Sequence, residues 1–160
     1  MNIVDKITVI KEKTVAFTGH RQLYNGFNKQ SLYKKIEEYI LDGKDTFLIG
    51  MAVGFDSVCF QTVEKLKERY EELKIIACVP CENQQKNFSF SQKFEYARML
   101  KKADQVIYVS KTYTPYCMQK RNMFMVDNCS VLLAYLKRDT GGTANTVRYA
   151  KTKGVEIEFI

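Results

Sequence analysis

Apolar residues gather into six short runs, at positions 14–18, 47–50, 74–79, 105–109, 131–136 and 155–160. Within most of these runs they occupy consecutive positions, the pattern of strands covered on both faces. Between the runs they recur every three or four positions, which is the helical period. Positions 28–42 put Leu32, Ile36 and Ile40 on one face, with Asn28 to cap the start and Gly43 to suit the end. A second helix is expected after Asp56, read as its N-cap, with Cys59, Val63, Leu66 and Tyr70 as the buried stripe. A third, over 89–101, carries Phe90, Phe94 and Ala97 as its apolar positions. A fourth covers 116–127. The last runs over 143–153, with Ala144, Val147 and Ala150 inward and Gly154 as its stop.

This strict alternation predicts an α/β sandwich around a mostly parallel central sheet. Right-handed crossovers then bring the strand-to-helix turns to one edge of that sheet. Open sheets bind ligands at that edge, where the strand order reverses. Residues 13–160 read as a single domain, and residues 1–12 as an N-terminal extension, either a short extra strand or a loose arm.

Three strand-to-helix turns are rich in glycine. Thr18-Gly19-His20-Arg21 follows the first run, and Gly50-Met-Ala-Val-Gly54-Phe-Asp56 the second. Gly141-Gly142-Thr143-Ala-Asn-Thr146-Val follows the fifth. Glycines let a backbone approach a ligand, and the first N–H groups of a helix attract an anion. Such a segment suits a nucleotide phosphate. His20, the single histidine, and Arg21, a planar fork for phosphate or carboxylate, are expected to face the ligand. Arg121 and Asn122 fall near the start of the fourth helix, toward the same edge. Asp127 falls at the opposite end and reads as structural. The turns do not match GxGxxG, and no Walker lysine follows them, which argues against an ATPase.

Bulk properties narrow the class. Hydrophobic residues make up 46% of the 160, which argues against disorder. No apolar run approaches the roughly 20 residues that span a bilayer, so no membrane association is expected. The N-terminus lacks a signal-peptide core, and a cytoplasmic location is the expectation. A net charge of +7 suits an anionic ligand of any size and permits a nucleic-acid partner. Of five cysteines, Cys59 and Cys129 read as buried thiols, and Cys78 as a core-facing strand residue. Cys78 and Cys81 form a C-x-x-C without the second pair of a zinc finger. No metal site and no cofactor are expected.

Thr18–Arg21, Gly50–Asp56, Arg121–Asp127 and Gly141–Val147, in that order, resemble the YpsA/YoqJ-like proteins of the SLOG superfamily. That group is named after the DNA-processing protein Smf/DprA and the cytokinin-activating enzyme LOG. The resemblance spans about residues 13–160. It implies a Rossmann-like three-layer sandwich that binds or senses a small nucleotide-derived phosphate ligand. Carried over by motif, the ligand residues are Gly19, His20, Arg21, Gly50, Gly54, Asp56, Gly141, Gly142, Thr143 and Thr146. LOG enzymes hydrolyse the glycosidic bond of nucleoside monophosphates, and a glutamate of their PGGxGTxxE loop supports catalysis. Here Asn145 takes the threonine position of that loop, and Thr146–Tyr149 contains no carboxylate. Asp56 and Glu82 are the candidate substitutes. The likeness to DprA admits single-stranded nucleic acid as a partner, with Lys111, Tyr113, Tyr116, Lys120 and Arg121 as a basic aromatic cluster. Relatives of this architecture also lead us to expect a homo-oligomer.

Overall fold

The computed structural model describes residues 8–160. The part of the expected N-terminal extension at residues 1–7 lies outside them. Residues Lys11–Lys13 form a 3-10 turn that leads into the first strand.

The strands are β1 (Thr14–Gly19), β2 (Thr46–Ile49), β3 (Lys74–Val79), β4 (Gln105–Tyr108), β5 (Val131–Tyr135) and β6 (Glu156–Phe159). The helices are α1 (Lys29–Leu41), α2 (Phe55–Lys67), α3 (Phe90–Lys102), α4 (Cys117–Asp127) and α5 (Gly142–Thr152). All strands run parallel, in the order β4-β3-β2-β1-β5-β6. This is a Rossmann-like α/β sandwich. The chain steps outward from β1 to β4, then returns to place β5 beside β1. The register of that pair runs from Val15↔Val131 to Gly19↔Tyr135.

Right-handed crossovers that travel in opposite directions leave their helices on opposite faces. The side chains follow this rule. Val15 and Phe17 of β1 pack with residues of α1, α2 and α3, such as Leu32, Phe60 and Met99. Ala16, between them, packs with Met125 of α4 and Val147 of α5. Strands β2 and β5 are buried along their full length. The edge strand β6 is covered less than a two-face pattern predicts, and its ends are exposed.

Two helical expectations are corrected. Helix α2 starts at Phe55 with Gly54 as its N-cap; Asp56 sits inside the first turn and accepts from the N–H of Ala52 at 3.1 Å. Tyr70 lies past the end of that helix and packs half-buried against the core. In α3, Phe90 and Phe94 are 89% and 73% exposed, and Ala97 is also outside. Tyr96 and Met99 are the buried residues of that helix. Phe88, just before α3, packs edge-on against Tyr96 at 5.6 Å.

All five cysteines are reduced and buried. Burial pushes the Cys78 and Cys129 thiols up to about 12. Among the described residues, no helix is long and apolar enough to cross a membrane.

Candidate functional site

A cleft of about 430 Å³ opens at the C-terminal edge of the sheet, beside the point where the strand order reverses. Gly19, His20 and Arg21 line it from the end of β1, and Gly50 from the end of β2. Asp56 lines it from the first turn of α2, Arg121 and Asn122 from α4, and Gly142 and Thr143 from the start of α5. These nine residues, expected from three separate turns and a helix, thus meet in one cavity.

The start of α5 supplies the most open backbone. Its N-cap is Gly141, which offers no capping side chain, and the first turn contains no acidic residue. The first N–H groups are therefore left for a ligand or water, at the positive end of the helix dipole. A Cβ added at Gly142 would meet nothing within 4 Å. Two exposed arginines line the same cleft. Arg21 rests its guanidinium on the Met118 sulfur at 3.4 Å, and Arg138 donates to the Tyr24 hydroxyl at 3.3 Å. Arg138, Tyr24 and Met118 also line the cleft, outside the motifs that pointed to it. Arg138 had a positional signal, because it falls between the fifth apolar run and the glycine pair.

The other glycines accommodate the protein itself. A Cβ at Gly19 would overlap the ring of Phe55, which stacks on Tyr135 with centroids 5.5 Å apart. A Cβ at Gly50 would stand 2.8 Å from Nη1 of Arg121. At Gly54, φ is +83° and a Cβ would overlap the carbonyl of Arg21. Close approach at these three positions is to side chain or backbone, not to a ligand. Gly54, Gly141 and Thr146, expected at the ligand, do not line the cleft: Gly54 borders a separate depression beside Met51 and Tyr96, and the Thr146 hydroxyl donates to the Gly142 carbonyl at 2.8 Å. Glu82 is exposed on the β3–α3 connection, with its N–H 3.4 Å from the Lys111 carbonyl, and does not line the cleft.

His20 is buried and ties the two halves of the sheet together. Its Nε2 accepts from the backbone N–H of Lys137 at 2.9 Å, which assigns the ring proton to Nδ1. Burial, then the charges of Arg138 and Lys137, hold its pKa below the usual histidine value. The ring is packed edge-on between Tyr24 and Tyr135, at 5.8 and 5.9 Å.

Asp56 and Arg121 form a second polar center. Arg121 is buried; Nε donates to Asn122 Oδ1 at 2.8 Å, and Nη1 donates to the carbonyls of Gly50 and, at 3.3 Å, Cys78. Asp56 is buried too, and burial raises its pKa to about 6 against the opposing pull of Arg121, the Ala52 N–H and Arg21. Its Oδ1 accepts no hydrogen bond among the described residues. The N–H that reaches Oδ2 is presented by an unusual turn, because Met51 adopts φ +66°. A left-handed conformation costs a non-glycine residue about 1–2 kcal/mol, so the surroundings hold this turn in place.

Fold and cavity define a Rossmann-like α/β protein with an arginine-lined cleft at its topological switch point. The YpsA family model, described as the YspA SLOG family, matches residues 15–159, and the chain belongs to that family. The uncharacterized SPbeta prophage-derived protein YoqJ of Bacillus subtilis is 34% identical over 136 residues, covering 77% of this chain and 80% of that protein. A UPF0398 protein of Bacillus cereus is 26% identical over 159 residues, covering 91% and 86%. Among solved structures, DNA processing protein A (DprA) of Streptococcus pneumoniae superposes with a TM-score of 0.66 at 16% identity. A structure describing the single-stranded DNA binding mode of DprA from Helicobacter pylori superposes with a TM-score of 0.70 at 15% identity. Each covers 93% of this chain, which spans only 50% and 65% of those DprA chains. The resemblance read from the four motifs is thereby borne out at the level of family and fold.

Proposed function

We propose that the protein binds or senses a small nucleotide-derived phosphate ligand at the C-terminal edge of its sheet. One observation carries this reading: the uncapped start of α5 opens into the cleft with Gly142 unobstructed and Arg21 and Arg138 lining the same cavity. The phosphate sits on the first N–H groups of α5, and the two arginines neutralise its outer oxygens. Its volume, about 430 Å³, falls within the roughly 300–1,000 Å³ of small-molecule sites. Calorimetric titration with the nucleoside 5′-monophosphates tests the reading. Binding is expected, with at least about a tenfold loss in Gly142→Val and in Arg21→Ala/Arg138→Ala, a loss typical of one or two charge-assisted hydrogen bonds. No binding by any nucleotide, or equal binding by the variants, overturns it.

Two specific observations support alternative uses of the same edge. Among the described residues that line the cleft, Asp56 is the sole carboxylate, so an N-glycosidic hydrolase would use it as acid or base. Base release from nucleoside monophosphates, lost in Asp56→Asn, would establish that reaction. Tyr113 and Tyr116 are 68% and 78% exposed just before α4, next to Lys111 and Lys120, a surface suited to stacking bases of single-stranded nucleic acid. A mobility shift that weakens steeply with salt and is lost in Tyr113→Ala/Tyr116→Ala would favour this use.

A further inference from the structure

The floor of the cleft holds a hydrogen-bonding deficit. An ionised carboxylate has about four acceptor sites. Asp56, only 6% exposed, receives a single hydrogen bond, from the Ala52 N–H at 3.1 Å, and Oδ1 receives none. A buried acceptor without a donor costs free energy, and such a cost persists where a ligand makes it up. Beside it, Arg121 commits Nε to Asn122 and Nη1 to the Gly50 and Cys78 carbonyls, leaving Nη2 uncommitted among the described residues. The floor therefore pairs a spare acceptor with a spare donor. A hydroxyl group satisfies both at once, because it donates and accepts; the amino group of a base only donates.

Resting on the phosphate reading above, we infer that Asp56 recognises the vicinal hydroxyls of a ribose, with Arg121 beside it, so that the cleft selects ribose phosphates over their 2-deoxy counterparts. Asp56 and the α5 N-terminus line the same cavity, and a sugar phosphate is the unit that carries an anion and a pair of hydroxyls together. The two oxygens of one carboxylate accept from two adjacent hydroxyls in parallel. The glycine at position 50 keeps this floor low: any side chain there would displace the Arg121 guanidinium.

The test uses three probes on the full chain, inorganic phosphate, ribose 5-phosphate and 2-deoxyribose 5-phosphate, followed through the amide resonances of Gly142 and Thr143. All three are expected to shift those amides, with ribose 5-phosphate binding about tenfold or more tighter than the deoxy sugar, as one charge-assisted hydrogen bond allows. In Asp56→Asn and Asp56→Ala the preference should collapse to near unity while phosphate alone still shifts the same amides. That retained shift also shows that the variants are folded. Equal binding of the two sugars by the wild-type protein, or a preference that survives both substitutions, overturns the inference and leaves the phosphate site standing. If none of the three probes moves those amides, the phosphate reading falls, and the inference with it.

Discussion

His20, at the end of β1, accepts a hydrogen bond from the backbone N–H of Lys137, just past the end of β5. These are the two strands between which the strand order reverses, so the imidazole adds a side-chain tie where their ladder ends. The bond needs the neutral ring, since a protonated Nε2 cannot accept. It also fixes the backbone that leads to Arg138 and the α5 N-terminus.

That bond makes stability sensitive to pH. The folded pKa of His20 is lowered from 6.5, so below that value the unfolded chain takes up a proton that the folded chain resists. The contribution is fully present above 6.5 and is lost as pH falls through the folded value. Urea titrations at pH 7.5 and 5 should show a larger loss for the wild-type protein than for His20→Gln, which cannot titrate. Equal losses would show that the ring protonates without breaking the contact.

Asp56 acts with the opposite sign. Its folded pKa is raised from 3.8 to about 6, so its contribution is present below 3.8 and lost as pH rises through about 6. Asp56→Asn should therefore gain relative to the wild type above pH 6, by on the order of 2–3 kcal/mol. Arg121→Met, by contrast, should be destabilising at pH 8, by roughly 1–3 kcal/mol, because it leaves the buried Gly50 and Cys78 carbonyls without their donor and removes the positive charge that opposes the burial of Asp56. Denaturation midpoints of both variants at pH 4.5 and 8 check the two signs.

Glycine substitutions should separate packing from openness. Gly50→Ala pushes a methyl to 2.8 Å from the Arg121 guanidinium and should cost about 1–3 kcal/mol as overpacking. Gly142→Ala meets nothing within 4 Å and should change stability by less than about 0.5 kcal/mol. Chemical denaturation of the two variants side by side measures the contrast, and similar losses would place Gly142 against protein.

On α3, Phe90→Ser and Phe94→Ser should leave the midpoint within about 0.5 kcal/mol, because both rings already face water. Met99→Ala, on the opposite side, should cost about 2–5 kcal/mol as a core cavity. Reversal of these values would turn the helix over.

The same helix shows where sequence legibility ended. Phe90, Phe94 and Ala97 recur at helical spacing, and so do Tyr96, Met99 and Leu100. Two apolar stripes on one helix compete for the core, and only the neighbouring Phe88 and the sheet decide between them. The strands were easier, because consecutive Val, Ile and Leu residues have no solvent-facing alternative. Convergence of the turns followed from topology alone. The role of each glycine did not: a Gly that admits a ligand and one that admits Phe55 or Arg121 look alike in a sequence. The partners that distinguish them come from distant segments. Tyr24 escaped for the same reason, since it gains meaning only from the loop opposite, whereas Arg138 was marked only by its place between the fifth apolar run and the glycine pair.

The sealed thiols turn this chain into its own clock. Cys59, Cys78, Cys81, Cys117 and Cys129 are spread from α2 to the α4–β5 connection, and every one is shut away from solvent. An alkylating reagent can reach them only when the molecule breathes, so the order in which they are modified records which part of the sandwich loosens first. A ligand that clasps the two halves of the sheet would slow that record without touching a single sulfur.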